Sequence, residues 1–520
     1  MVKITIDNIP VEVPAGTSIL NAAKSVGIHI PSMCYYNDGF GNHPSCMVCL
    51  VKDKNSGKLM PSCAVKVTEG MEIISEDEEV RAARKEALEL LLSDHVGDCE
   101  APCRVACPAF MNIPLMNRLI AAGKLDEAIK VVKEEIAIPS VLGYICSAPC
   151  EKACRRKQVD NPVAICLLKR VVALHDAKAQ EHYLPEKMPD SGKRIAIIGT
   201  GPAGLASAYH LLREGHNCVL FDRNKKAGGS FLVSVQKGKL PQEVLEAEIK
   251  ILQQYGTEFR LNREITPDIF SNEIQNEFDA VLLASGNMDD SSLKDFDFQF
   301  TPKGIAVEEN SFATGITGVF ACGSVVRPQK MAVKALAQGK EVALSINRFL
   351  KANKDGQRSK RFNSRFGPLF PAEIPEYMEE SVSGDRIVPQ DDLVGYSIEE
   401  AIEEARRCMH CDCRKPDTCK LRMYADEYQV DRKKFQFGER NVLRKYFQHD
   451  SVVYEPEKCI KCGLCVEITT HNGELTGLTH VGRGFDVRIE VPFQQNMPDA
   501  LTRTAEECVK ACPTGALSFK

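Results

Sequence analysis

Arg194-Ile-Ala-Ile-Ile-Gly199-Thr-Gly201-Pro202-Ala203-Gly204 is the stretch on which the fold turns. The apolar run reads as a short buried strand, the glycines as a tight turn, and the residues through His210 to Glu214 as a helix. A second strand, Cys218–Phe221, ends at Asp222, eighteen residues past Gly204. Each part has a physical task. Glycines let the backbone turn and approach a pyrophosphate, the helix start faces that anion, and the acid accepts ribose hydroxyls. The glycine pattern alone says little, but strand, helix and terminal acid in register define a Rossmann-like dinucleotide fold.

Farther on, Ala227-Gly228-Gly229, Asp279-Ala-Val-Leu-Leu-Ala-Ser-Gly286 and Thr317-Gly-Val-Phe-Ala-Cys-Gly323-Ser324 resemble the later cofactor segments of flavin enzymes similar to the glutamate synthase small subunit and thioredoxin reductase. The resemblance implies FAD, held at Gly199, Gly201, Pro202, Ala203, Gly204, Asp222, Gly229, Gly286, Gly323 and Ser324, with the helix Met331–Asn347 completing the contacts. Ser324 departs from the family, which usually places an Asp there, but its hydroxyl can still hydrogen-bond the ribityl chain. In that superfamily an NAD(P)H domain lies between the last two segments. Here about three dozen residues separate Gly286 from Gly323, with no second glycine fingerprint, and a βαβ unit with flanking strands does not fit. The flavin domain is therefore expected to lack its own nicotinamide site.

The 520 residues suggest three to four domains. With 26% charged and 44% hydrophobic residues the composition is that of a globular protein, and a formal net charge of −5 excludes nucleic-acid binding as the main theme. No apolar run approaches a membrane span and Met1–Pro10 reads as a strand, so a cytoplasmic chain without membrane insertion is expected. There are 22 cysteines. In a reducing compartment, clustered thiols point to metal or redox chemistry rather than disulfides. Only Cys218 and Cys322 stand alone in apolar runs, where small buried side chains are expected.

Val2–Ile6 and Val11–Val13 alternate around Asn8–Pro10, Ser18–Val26 reads as a helix, and Cys34-x11-Cys46-x2-Cys49-x13-Cys63 follows. Four thiolates suit a [2Fe–2S] centre, and Gly39 and Gly41 would let backbone amides approach it. Pro31–Tyr35, Cys46-Met-Val-Cys49-Leu-Val51 and Pro61-Ser-Cys63-Ala64 resemble the amino-terminal domain of the large iron–sulfur subunit of complex I and of iron-only hydrogenases, a β-grasp ferredoxin.

After a helical stretch, Glu86–Ser93, comes His95-x3-Cys99-x3-Cys103-x3-Cys107-Pro108. Its opening resembles the histidine-ligated cluster of complex I. Cys107-Pro108, Asn112-Ile-Pro114, Gly143-Tyr-Ile-Cys146-Ser-Ala-Pro-Cys150-Glu-Lys-Ala-Cys154 and Pro162-Val-Ala-Ile165 resemble the glutamate synthase small subunit, and dihydropyrimidine dehydrogenase carries a related domain. With Cys166 and His95 these ligands suffice for two [4Fe–4S] clusters. The glutamate synthase pattern implies Cys107, Cys146, Cys150 and Cys154 in one, and Cys99, Cys103, Cys166 and His95 in the other; two sequence-local quartets are the alternative.

Residues 351–396 are charged and proline-rich and read as a surface-wrapping linker. The helix Ser397–Arg407 leads into Cys408-x2-Cys411-x-Cys413-x5-Cys419, a site for a further [4Fe–4S] cluster or a structural zinc. Cys459-x2-Cys462-x2-Cys465 and Cys512-Pro513 open and close a bacterial-type ferredoxin. Thr469, Thr502 and Ala505 occupy positions of its second cluster, so one [4Fe–4S] survives and Cys508 is left as a buried thiol.

The expected fold class is multidomain α/β and α+β. A [2Fe–2S] ferredoxin spans 1–80, a helical two-cluster domain 81–185, a Rossmann-like FAD domain 190–350, a linker 351–396, a four-cysteine region 397–455 and a one-cluster ferredoxin 456–520. Such mosaics resemble electron-transfer subunits of NADH-linked complexes, electron-bifurcating ones included. The resemblance implies a diaphorase partner with NADH and FMN, a terminal oxidoreductase or ferredoxin, and a hetero-oligomer. A self-contained NAD(P)H oxidoreductase and a non-catalytic redox scaffold are the alternatives.

Overall fold

The computed structural model describes residues 1–37, 43–287, 296–351 and 361–520; Gly39, Gly41 and positions 352–360 of the expected linker lie outside them. The chain divides into two compact units, Met1–Ala101 with Lys360–Glu380 and His410–Lys520, and Pro102–Ser359 with Ser381–Met409.

In the first unit β1 (Val2–Ile6) and β2 (Ile9–Val13) pair antiparallel about Asp7 and Asn8. Both turn residues have positive φ, 49° and 65°, a region that Asp and Asn enter at least cost among residues with a side chain. With β3 (Leu50–Asp53), β4 (Leu59–Pro61) and β5 (Glu72–Ile74) they form a mixed sheet ordered β2-β1-β5-β3-β4, β5 running parallel to β1. The helix Ile19–Ser25, capped by Ser18, packs Ile19, Leu20, Ala22 and Ala23 against Ile4, Ile6 and Val51 of that sheet. This is the expected β-grasp arrangement.

The following helix is longer than its apolar pattern, starting at Glu78 rather than Glu86. Asp77 accepts from the Val80 N–H at 2.7 Å and two glutamates occupy the first turn, so capping and dipole set the start. At the carboxyl end, strands Val452–Tyr454 and Leu517–Phe519 pair antiparallel over a core holding Ile468, Leu501 and Cys508. Cys508 is fully buried, as expected of a thiol without a cluster. The 361–380 stretch does more than wrap the surface. Glu373 is fully buried and accepts from the Leu443 N–H at 2.8 Å and the Arg440 guanidinium at 2.7 Å.

In the second unit the helices Ile113–Ala121, Leu125–Lys133, Pro139–Ile145 and Ile165–Lys178 gather around Met116, Ile129, Val132, Leu142 and Leu168. Helix Ile398–Ala405, started by a Ser397/Glu400 capping box, adds Ala401 and Ala405 to the same core. Its buried Glu404 accepts from the N–H groups of Ala164 and Ile387 and from Arg407, at 2.8–2.9 Å.

The Rossmann-like part holds β6 (Arg194–Ile198), β7 (Asn217–Phe221), β8 (Glu258–Arg260), β9 (Ala280–Leu283), a small antiparallel hairpin of β10 (Phe300–Thr301) and β11 (Gly304–Ile305), and β12 (Val319–Ala321). Five of these form a parallel sheet ordered β12-β9-β6-β7-β8. Among the described residues between β9 and β12, that hairpin is the regular structure present, and no βαβ unit occurs. Cys218 and Cys322 are buried at 2% and 1% exposure, as expected. Among the described residues no helix is long and apolar enough to cross a membrane.

Candidate redox and dinucleotide sites

The three fingerprint glycines have different reasons to be glycine. A Cβ on Gly199 would lie 2.4 Å from the Ala284 carbonyl oxygen, and one on Gly204 would lie 2.0 Å from that of Gly199. A Cβ on Gly201 would meet nothing within 4 Å. The first and third are thus demanded by protein packing, while the second borders open space at the amino terminus of helix Pro202–Arg213, where a pyrophosphate would sit. Gly229 packs on Gly201, its Cβ position being 2.6 Å from the Gly201 Cα. Asp222 is held in place, one oxygen accepting from Thr200 N and Oγ1 at 2.9 and 2.6 Å and the other from Asn224 N at 2.9 Å. Gly286 and Gly323 both take φ near +80° at the ends of their strands. The Gly323 N–H donates to Gln338 Oε1 at 3.1 Å, and Ser324 Oγ accepts from Gln329 N at 3.3 Å. These residues fit a dinucleotide, and Gln338, on the helix Ala332–Leu350, is a contact that sequence reasoning missed.

In the first unit Cys34, Cys46, Cys49 and Cys63 are all buried. Cys34 is hydrogen-bonded to Cys46 and Cys63, and the Cys46 contact chiefly holds its thiol far below the ordinary range. Cys63 in turn contacts Cys49, whose thiol it brings down to about 7. The same contacts push the Cys46 and Cys63 thiols up, so the four sulfurs are joined by shared protons that a cluster would displace. Cys459, Cys462, Cys465 and Cys512 line one cavity with Ile460, Leu464 and Ile489, the four ligands expected of the surviving ferredoxin cluster. Cys462 packs against the core that holds Cys34 and Cys46, so these two sites are neighbours within the unit.

In the second unit Cys107, Cys146, Cys150 and Cys166 line a second cavity with Ile113 and Lys169. The interleaved partition expects Cys154 beside the first three; in this cavity Cys166 lies beside them. The cause is the register of helix Ile165–Lys178, where Glu151 accepts from the Cys166 N–H at 2.9 Å and fixes that first turn beside Cys150. Lys169 is buried one turn farther along. Burial opposes its charge, but Cys166, Cys146, Cys150 and Cys107 together outweigh burial and raise its pKa. A buried cation amid four thiols fits a site that holds a net negative cluster. Cys103 and Cys154 pack against the core that contains Cys408.

The boundary between the two units falls inside the expected quartet Cys408, Cys411, Cys413 and Cys419. Cys408 belongs to the second unit's core, whereas Cys413 and Cys419 lie in the first unit. There the Cys413 N–H donates to the Cys99 carbonyl at 3.3 Å. His95, in the same unit, is 9% exposed. In all these sets the thiols meet in pairs and around shared walls. Among the described residues no three or more His, Cys, Asp or Glu side chains close on one point as they would around a single ion.

The domains and sites define the class, a chain that joins iron–sulfur cluster-binding domains to a dinucleotide-binding Rossmann domain. Residues 1–78 match the 2Fe-2S iron-sulfur cluster binding domain, 74–181 match dihydropyrimidine dehydrogenase domain II with its 4Fe-4S cluster, and 197–260 match the NAD(P)-binding Rossmann-like domain.

In particular, the chain is 32% identical over 240 residues to the beta subunit of NADP(+)-dependent formate dehydrogenase of Moorella thermoacetica, covering 42% of this chain and 32% of that protein. It is 35% identical over 188 residues to the beta subunit of NADPH-Fe(3+) oxidoreductase of Geobacter sulfurreducens, covering 36% and 28%. With the small chain of glutamate synthase [NADPH] of Bacillus subtilis the figures are 34% over 201 residues, covering 36% and 40%. The match thus spans 28–40% of these relatives' own lengths. All three are oxidoreductase subunits or chains.

Proposed function

We propose that this chain is an iron–sulfur flavoprotein that passes electrons within a multi-subunit NADH-linked oxidoreductase, of the group that includes electron-bifurcating complexes. Its partners in this reading are a diaphorase-like subunit with NADH and FMN and a terminal oxidoreductase or ferredoxin, in a compartment that keeps thiols reduced. When bound, clusters supply one-electron steps and FAD converts between one- and two-electron traffic. The residues do the rest. Cysteines on buried loops hold the groups in apolar walls, Lys169 offsets charge, and Gly201 with the helix it opens leaves room for FAD.

The observation that carries this reading is the segment between β9 and β12, where the described residues form one two-stranded hairpin. Among the described residues no domain there would seat a nicotinamide over a flavin, so in this reading hydride is collected elsewhere. The test is an anaerobic titration of the purified chain. NADH and NADPH alone should leave the flavin oxidised, while dithionite should bleach flavin and clusters together. Rapid bleaching by NADPH alone would instead establish the self-contained NAD(P)H oxidoreductase.

A further inference from the structure

We propose that His95, Cys99, Cys413 and Cys419 hold one [4Fe–4S] cluster, a site assembled from two parts of the sequence some three hundred residues apart and all within the first unit. The inference rests on the iron–sulfur reading above, but on neither the flavin nor the partner subunits.

The backbone brings these residues together. Cys413 donates its N–H to the Cys99 carbonyl at 3.3 Å, and the Ser364 N–H points at Cys99 Sγ at 3.4 Å. All three cysteines are buried, at 7–8% exposure. Cys419 opens the helix Lys420–Glu427, whose Arg422 donates to the carboxylate of Glu100, the neighbour of Cys99, at 2.7 Å. The Cys413 sulfur lies against Gly515, where a Cβ would come within 2.3 Å of it, so a larger residue at 515 would displace the ligand.

The histidine supplies the second, independent observation. Its Nδ1 is buried with no hydrogen-bond partner. The ring also bonds the Lys458 backbone in a way that raises its pKa, as donation to a carbonyl does. Metal-bound histidines characteristically donate one N–H to a carbonyl and keep the other nitrogen for the metal. The Lys458 stem also ties the His95 loop to the thiols: a Cβ on Gly97 would lie 2.8 Å from its Cε, and one on Gly515, beside the Cys413 sulfur, 3.8 Å from its Cδ.

A lone zinc is the weaker occupant. It needs bonds of about 2.3 Å to each sulfur, hence ligands that close on one point. Among the described residues no three ligand-type side chains do so. A cluster instead accepts thiols ranged around a cavity, and its place extends the relay. Lys415 Nζ donates to the Val509 and Cys512 carbonyls at 2.8 and 2.7 Å, and Lys420 N to Pro513 O at 2.8 Å, which binds the 413–420 loop to the Cys512 loop of the ferredoxin site.

Iron and zinc analysis of the anaerobically prepared full chain, with electron paramagnetic resonance of the dithionite-reduced form, tests this. Cys99→Ser, Cys413→Ser and Cys419→Ser should each lose about four iron atoms and abolish the same resonance. The double variant Cys99→Ser/Cys413→Ser should lose no more than either single one. His95→Cys should keep all the iron and lower the potential of that one resonance, because a thiolate replaces a neutral ligand; it decides the matter if a serine variant fails to fold. Zinc retained at Cys413 and Cys419, different resonances lost in the three variants, or an unmoved potential in His95→Cys would overturn the proposal. Bleaching of the flavin by NADPH would refute the functional reading and leave this site standing.

Discussion

The carboxyl-terminal ferredoxin region and the Rossmann sheet are organised by opposite means. In the sheet, Ile195, Ala196, Ile197, Leu220, Phe221 and Leu282 are fully buried in strands that pair over four or five residues. Apolar burial at roughly 25 cal/mol per Å² is its main support. The ferredoxin region pairs only three-residue strands, Val452–Tyr454 with Leu517–Phe519 and Thr479–Val481 with Arg488–Glu490, and its cysteine wall adds loops and the start of helix Leu464–His471. There the support is expected to come from the bound group, whose binding energy is folding energy. Removing iron with chelator under reducing, anaerobic conditions should therefore split the molecule's behaviour. Hydrogen exchange should show residues 452–519 losing protection by orders of magnitude while β6, β7 and β9 keep theirs. Equal loss in both regions would break the comparison.

The second largest effect is expected at a buried ion pair that supports the ligand loops without touching a cluster. Arg422 bonds Glu100 at 2.7 Å, both about 3% exposed or less, and also the carbonyls of Phe362 and Pro416 at 2.9 Å. Arg422→Ala breaks this buried ion pair and should cost about 3–5 kcal/mol in denaturant unfolding. Melting of the Rossmann sheet, followed by exchange at β6, should be unmoved.

The sheet offers a matching pair of glycines. Gly204→Ala drives a methyl into the Gly199 carbonyl, 2.0 Å away, and should destabilise the fold by roughly 1–3 kcal/mol. Gly201→Ala meets open space, so its stability without cofactor should barely change while FAD affinity falls at least tenfold, read by fluorescence titration. If both variants act on stability alone, Gly201 does not border the cofactor.

The same contrast explains what was legible in the sequence. Local signals read well. The glycine fingerprint, the Asp222 terminus and the alternating first strands carry their own geometry, and the Cys459–Cys465 triplet with Cys512-Pro lies around one cavity. Contacts over distance did not. Nothing in the spacing of Cys408–Cys419 shows that the Cys413 N–H reaches the Cys99 carbonyl, because that contact is made by backbone from separate segments. That Cys166 lines a cavity with Cys107, Cys146 and Cys150 was hidden for a similar reason, since Glu151 and a helix start place it there rather than a cysteine motif. The early start of helix Glu78–Ser93 lay in Asp77, a cap outside the apolar period.

A smaller effect is expected where charge enters the second unit's cysteine cavity. Lys169→Met removes a buried cation from among Cys107, Cys146, Cys150 and Cys166. A unit charge at contact range and an effective dielectric near 20 is worth a few kcal/mol. The potential of that one cluster should therefore fall by on the order of 100 mV, with the other resonances fixed.

The smallest effect tests whether the Rossmann unit, though built on apolar burial, carries a proton switch of its own. Glu248 accepts from the N–H groups of Ser140 and Val141 at 2.8 and 3.0 Å, joining helix Gln242–Gln254 to the start of helix Pro139–Ile145. Burial pushes its pKa up from 4.5 to about 7. A raised acid binds its proton more tightly folded than unfolded, so its contribution is fully present below the unfolded value and is lost as pH rises through the folded one. Between pH 6 and pH 8 this group should withdraw about 1 kcal/mol. Glu248→Gln should flatten that slope whatever it does to absolute stability, because an amide does not titrate. An unchanged slope would mean that the carboxylate is already ionised, its two backbone donors outweighing burial.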